Sequence, residues 1–291
     1  LERQSAHLRR FHEITTDDTA SFDNQLQELV ALGRDRLAVD AGIVAEFGDK
    51  YAVRAADAPD LPVDPGERFE MAGTICAEMM EGAVDTIWTA SDVIADAHPV
   101  YRDRSVEVFI GIPIDTPEGT YGAISFAGFD DDSPPISEHD RTFVRLLAQW
   151  IGREVSRRAA RQEAQTNERY LREVIDALPQ QVFVKDADGQ YLLANKAAAD
   201  VYGVSPAELE GSTDAEYGKE SAHRDFRADD VAVIESGEAK TVPEDTFADA
   251  DGEKQTVRTE IQPLETPHGD ERQALVVTTD ITERKRLEQQ L

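Results

Sequence analysis

From Ile136 to Leu178 the chain carries no proline, and after Gly152 that stretch carries no glycine. Proline removes a backbone donor and clashes with the preceding turn, while glycine weakens a helix interior by roughly 1 kcal/mol. Their absence predicts one helix of about forty residues starting near Ser137, far longer than the globular norm. Glu138 and Asp140 in its first turn suit the positive end of the helix dipole. In a chain of 291 residues, such a helix reads as a connector with a domain on either side. Its apolar stripe is clear at each end, first Leu147, Ile151, Val155 and Ala159, then Tyr170, Val174 and Leu178. The middle, Gln162, Gln165 and Thr166, is polar, which predicts a marginal coiled coil rather than a strict heptad seam. Arg153, Arg157, Arg158 and Arg161 form the one basic cluster, read as a solvated flank pairing with neighbouring Glu.

Before this connector the pattern predicts two helices. Residues 5–16 carry Leu8, Phe11 and Ile14, and a second helix, capped by Ser21 or Asp23, presents Leu26, Leu29, Val30 and Leu37. Strand-like residues 41–47 and 51–54 flank Gly48-Asp49 as a hairpin. A short helix is expected over 73–82 and another capped by Ser91. A second, longer hairpin joins 106–114 to 121–129 through Pro117-Glu118-Gly119.

After Pro179 the texture changes. Val182–Asp186 and Tyr191–Ala194 pair across Asp188-Gly189. Asn195 caps a helix that Gly203 ends, and Ser205-Pro206-Ala207-Glu208 has capping-box spacing. A helix over 225–236 closes at Gly237. Three strands follow, 239–247, 254–264 and 272–279, and Thr282 or Asp280 is placed to cap a final helix. These features imply an α+β class with two domains, each a central antiparallel sheet flanked by helices. The boundaries read as 1–155, a helical linker 156–170, 171–282, and an exit helix from 283 to 291.

Residues 171–291 resemble a PAS domain. The resemblance rests on the ordered run of the opening strand with Asp186-Ala187-Asp188-Gly189, Asn195 with its Ala-rich helix to Tyr202-Gly203, Ser205–Leu209 with Gly211, and the ending Asp280-Ile281-Thr282-Glu283-Arg284. Residues 5–155 are similar to a GAF domain in their two leading helices, hairpin, Gly111-Ile112-Pro113-Ile114 strand, Tyr121–Phe126 strand and return helix. The resemblance implies a sensory module of a signalling protein, as in haloarchaeal sensor histidine kinases or regulators related to the bacterio-opsin activator. It also implies a homodimer through helices 137–178 and 280–291, an output kinase or DNA-binding domain in a longer chain, and a cytoplasmic location.

Chemistry-bearing motifs are sparse. Cys76 is the only cysteine, which excludes a disulfide framework and reads as a buried inert thiol rather than a bilin attachment point. The second half has no cysteine for flavin photochemistry. Among the histidines only His223 sits where a haem ligand could, among polar neighbours that argue against it; none shows metal-ligand spacing. No nucleophile elbow or phosphate loop occurs, so no catalytic residue is assigned. Large side chains remain as candidate lining of a noncovalent pocket: Phe183, Tyr202, Phe226 and Phe247, with Asn195 and with Arg258 as an anion-binding group. In the first domain the equivalents are Phe69, Cys76, Trp88, Tyr101, Phe109, Ile112 and Phe126. A ligand-free dimerisation and interaction scaffold is the alternative.

The net charge of −29 disfavours direct binding to nucleic acid or anionic membranes. Acidic residues are spread through apolar-periodic segments, and Lys is scarce beside Arg, a pattern that resembles proteins of salt-accumulating halophilic archaea. No run of eighteen apolar residues occurs, so no membrane helix is expected. The start at Leu1 lacks Met and any apolar signal core, as in a piece of a longer protein.

Overall fold

The computed structural model describes residues 2–70, 86–89, 106–130, 133–213, 216, 226–248, 253–266 and 271–290. Two compact units divide between Gln162 and Glu163. That division lies inside the long helix α3 (Glu138–Asp176).

In the first unit, α1 (Glu2–Thr16) and α2 (Phe22–Leu37) precede β1 (Ala41–Phe47), β2 (Lys50–Asp57), β3 (Arg68–Glu70), β4 (Thr86–Thr89), β5 (Val108–Thr116) and β6 (Gly119–Gly128). The strands form one antiparallel sheet in the order β3-β2-β1-β6-β5-β4. Ser21, rather than Asp23, caps α2, accepting from the Asn24 N–H at 3.2 Å. The expected helices at 73–82 and after Ser91 lie outside the described residues.

Alternate positions of the strands send side chains to opposite faces. One face meets α1, α2 and the start of α3 in a core that includes Ile14, Leu26, Leu29, Ile110, Phe126, Leu147 and Ile151. The other carries Ile43, Tyr51, Val53, Phe109 and Ala123. The ring of Phe126 fills a slot left by Gly33, where an added Cβ would meet its Cζ at 2.2 Å. Gly152 has the same role for α3: an added Cβ would sit 2.3 Å from the Asp115 carbonyl oxygen. The helix therefore rests directly on the β5–β6 hairpin backbone.

Ser137 opens α3, donating its N–H to the Asp140 carboxylate at 3.2 Å and receiving the Asp140 N–H at 3.3 Å. Arg157 and Arg158 both bind the buried carboxylate of Glu154, at 2.9 and 2.6 Å, and Arg158 also lies 4.8 Å over the Phe22 ring. Two of the four arginines of the basic cluster thus pair with a Glu of their own helix, while Arg153 donates to the Gln149 carbonyl at 3.2 Å. Burial disfavours the Glu154 charge, but hydrogen bonds from the two arginines outweigh it and lower its pKa. A depressed carboxylate stabilises the fold above the unfolded glutamate pKa of about 4.3 and loses that contribution as pH falls through the folded value. Glu154→Gln is therefore expected to destabilise the first unit at neutral pH, with the difference from the native protein shrinking as pH falls through the lowered folded value. Urea titrations at neutral and at acid pH check this.

The second unit contains β7 (Gln181–Lys185), β8 (Tyr191–Ala194), α4 (Lys196–Tyr202), α5 (Pro206–Leu209), α6 (Phe226–Ser236), β9 (Lys240–Ala248), β10 (Lys254–Glu265), β11 (Arg272–Asp280) and α7 (Thr282–Glu288). Its antiparallel sheet runs β8-β7-β11-β10-β9. The capping box at Ser205 and Glu208 forms, and Gly203 closes α4 in the left-handed conformation. At α7 the expectation divides. Asp280 accepts the Thr282 N–H at 2.7 Å. The Thr282 hydroxyl instead accepts the Thr256 N–H of β10 at 2.8 Å, so it docks the helix on the sheet and caps nothing.

Candidate sensory site and its junction with the long helix

The interior of the second unit is walled by β7, β8, β10 and β11 on one side and by α4, α5 and α6 on the other. Phe183 belongs to both of its apolar clusters, one around Tyr191, Ala194, Ala198 and Leu209, the other around Val233, Ile261 and Val276. Its ring meets Tyr191 edge-on at 5.3 Å, and the Tyr191 and Tyr202 hydroxyls are 2.9 Å apart. Phe183 and Tyr202 thus both pack against Tyr191.

The polar members of this interior come from positions that no sequence motif singles out. Lys185 is 2% exposed. Its ammonium stands 4.3 Å from the Tyr191 ring centre and 3.7 Å from the buried Asp230 carboxylate of α6. Strand alternation was the available signal, because it sets Lys185 on the face of Phe183; its register partner Ala274 is fully buried. Thr259 and Thr278, cross-strand neighbours, pair their hydroxyls at 3.1 Å. Burying charge in a small core is costly unless it is paired, so this interior is built around a polar constellation rather than apolar filling alone.

Asn195 is fully buried and each side-chain bond goes to backbone. Its Oδ1 accepts from Val182 N–H at 2.9 Å and from Ala198 N–H at 3.0 Å. Its Nδ2 donates to the carbonyls of Ile175 at 2.8 Å and Gln180 at 2.9 Å. One side chain thus joins the end of α3, the following loop, β7 and α4, and its donors are fully used. Two further contacts fasten the same corner. Arg172 of α3 binds Glu210, and that side-chain hydrogen bond raises the Arg172 pKa; Oε1 of Glu210 also accepts the Ala194 N–H at 3.1 Å. Asp176 accepts the Lys196 N–H at 2.7 Å. At the far end of the sheet, Lys285 of α7 pairs with Glu244 of β9 at 2.6 Å. The Arg172–Glu210 bridge is a third exposed, so its removal by Glu210→Gln is expected to cost about 1 kcal/mol. A urea melt of the second unit reads this as a small shift, against a large one at Asn195.

Other expected site residues fall elsewhere. Arg258 does not face the interior: it is exposed, pairs with Glu260 at 2.6 Å, and alternates with the buried Val257 and Thr259. The pairing with β9 slips between Val257 and Thr259, opposite Pro243, which has no N–H to donate. Phe109 and Phe126 do not share a pocket. They pair with Ala127 and Ile110, which puts them on opposite sheet faces; Phe126 and Ile112 join the helix-side core, while Phe109 and Phe69 lie on the other face. The side chains of Trp88, Phe226 and Phe247, and all of Cys76, Tyr101 and His223, lie outside the described residues.

A family profile described as "PAS fold" matches residues 175–286. Among solved structures, that of the E. coli DhaR(N)–DhaL complex is similar over 95% of this chain and 89% of its own, at 13% identity and a TM-score of 0.52. The GAF domain of an Acinetobacter phosphoenolpyruvate-protein phosphotransferase is similar over 55% of this chain and 95% of its own (15% identity, TM-score 0.46). A PAS domain from a two-component sensor histidine kinase covers 40% of this chain and 98% of its own (14% identity, TM-score 0.32). No curated protein matches. Residues 175–286 thus match the PAS fold, and in sequence one long helix runs between the sheet of the first unit and that of the second. The PAS fold is typical of signal-transduction proteins. No helix among the described residues is long and apolar enough to cross a membrane.

Proposed function

We propose that this chain is a non-catalytic sensory relay of an intracellular signalling protein. A small noncovalent ligand held in the PAS interior biases how β8 and α4 sit, and α3 and α7 pass the change to an output kinase or DNA-binding domain. The observation that carries this reading is Asn195, because one buried side chain locks the end of α3 to the strand and helix that wall the interior. The relay works as a homodimer through α3 and α7, in which two helix arrangements of similar energy are biased by a few kcal/mol.

Lys185 is the anchoring group of the ligand reading, with Tyr191, Tyr202 and Phe183 around it. Mass spectrometry of material extracted from the purified protein tests it. A small molecule present at one per chain is the expected result, and the double variant Lys185→Met, Asp230→Asn is expected to lose it. A second reading, a ligand-free interaction scaffold, is favoured by one feature: Asn195 spends both donors on its own backbone. Extracts empty of any stoichiometric small molecule support the scaffold.

The charge of −29 supports a protein adapted to concentrated salt. Screening shortens from about 30 Å at 0.01 M to about 3 Å at 1 M, which relieves self-repulsion. The melting temperature is expected to rise by tens of degrees between 0.05 and 3 M KCl, roughly, as repulsion is screened. A salt-independent melting curve contradicts this.

A further inference from the structure

β8 lies at the edge of its sheet, and an edge strand presents backbone N–H and C=O groups that something else has to satisfy. A residue of an antiparallel strand turns both groups to the same side, and Tyr191 and Ala194 turn theirs away from β7. At Tyr191 backbone supplies the partners. Its N–H donates to the Ser212 carbonyl at 2.9 Å, and its carbonyl accepts the Gly211 N–H at 2.7 Å. At Ala194 the partners are side chains. Its N–H donates to Glu210 Oε1 at 3.1 Å, and its carbonyl accepts from Arg172 Nη1 at 3.3 Å. The Arg172–Glu210 pair therefore completes the sheet edge where a further strand would lie, and one half of the pair comes from α3.

The other half is one residue from the interior. Leu209 is fully buried in the apolar cluster of Tyr191, Ala194 and Ala198, and Glu210 follows it in sequence. The turn beyond is bound to β8 through Gly211 and Ser212, so Leu209 and Glu210 pivot on it together. A group that presses on Leu209 from inside thus moves the Glu210 carboxylate against Arg172.

Arg172 has other partners within reach. Glu168 and Asp176 stand four residues before and after it on α3, the spacing at which opposite charges pair on a helix. Arg172 is 34% and Glu210 24% exposed, and an ion pair this close to water biases such a choice by about fivefold or less. One arrangement of Arg172 on Glu210 and one on its own helix are therefore close in population, so a small push selects between them. In the second arrangement Arg172 competes for Asp176, whose carboxylate holds the Lys196 N–H at the start of α4.

We propose that Glu210 is a positioning residue of the relay: displacement of Leu209 in the PAS interior withdraws Glu210 from Arg172, which turns to Glu168 and Asp176 and alters the end of α3. This rests on the relay reading above and assigns its transmission to one ion pair, with Asn195 as the fixed pivot.

Backbone hydrogen exchange of the full chain in molar KCl tests the assignment in four forms: the native protein, Glu210→Gln, the Lys185→Met, Asp230→Asn double variant, and all three changes together. Glu210→Gln keeps an oxygen for the Ala194 N–H and removes the charge that holds Arg172. It is expected to change exchange in α3 from Glu168 to Asp176 by about three- to fivefold. Added to the double variant it is expected to change α3 by less than about twofold further, while β7, β8 and α4 still respond. Arg172→Gln is expected to match Glu210→Gln, and Arg172→Lys, which keeps a charge on Glu210, to stay near the native protein. If Glu210→Gln leaves α3 as in the native protein, or if its effect and that of the double variant multiply, the ion pair is not the transmitter, although the relay stands through Asn195. If the double variant itself leaves α3 unchanged, the relay reading fails and this assignment fails with it.

Discussion

Asn195→Asp is expected to unfold the PAS unit about as readily as Asn195→Ala, although aspartate matches asparagine in shape and is itself a good helix cap. The reason lies in direction. Oδ1 accepts from Val182 and Ala198, and aspartate keeps both of those bonds. Nδ2 donates to Ile175 and Gln180, and aspartate sets a carboxylate oxygen against two carbonyl oxygens. Each buried group left unsatisfied costs about 1–3 kcal/mol, so the loss is expected at about 3–5 kcal/mol, roughly 10–20 °C in melting temperature for a unit of this size. A residue acting only as a helix cap is worth about 1 kcal/mol. Asn195→Ser, which keeps the cap, is then expected to recover little. Calorimetry of the three variants decides between a cap and a junction: if aspartate is as stable as the native residue, the two donated bonds contribute nothing.

The second large effect is expected at Gly152→Ala. In an exposed helix interior this change stabilises by about 1 kcal/mol. Here the new methyl would stand 2.3 Å from the Asp115 carbonyl oxygen. Side-chain atoms do not approach backbone that closely, so α3 has to move off the β5–β6 hairpin. Overpacking of this kind costs typically about 1–3 kcal/mol, which reverses the sign of the propensity gain. The substitution is expected to lower the melting temperature of the first unit by several degrees, roughly 4 °C or more. A stabilised protein would show that the helix slides without resistance.

Most elements of the fold were legible because local chemistry and tertiary contacts agree on them. The proline-free stretch became α3, the Asp188-Gly189 turn joined β7 to β8, and Ser205 with Glu208 formed its capping box. Of the expected lining, Phe183 and Tyr202 both pack around Tyr191, at positions near an Ala-rich helix. What failed did so for reasons of pleat and register. Phe109 and Phe126 are both large and both buried, yet their pairing partners put them on opposite faces. Arg258 missed the interior because Val257 and Thr259 hold the inward positions beside a slipped pairing. Asn195 read as a cap with an optional ligand contact, since only the folded chain brings Ile175, Gln180 and Val182 to one side chain. The Lys185–Asp230 pair joins residues forty-five positions apart, beyond the reach of periodicity. Nothing in the local sequence marks Glu210 as the partner of Arg172.

A sensory relay requires that the PAS interior and the long helix move as one. Backbone hydrogen exchange read by mass spectrometry in molar KCl measures this directly, comparing the native protein with the Lys185→Met, Asp230→Asn double variant. Replacing both members removes the buried charges without stranding either one. The relay predicts that protection changes by about tenfold or more in α3 from Glu163 to Asp176, as well as in β7, β8 and α4. A change confined to β7, β8 and α4, with α3 exchanging as in the native protein, would contradict it.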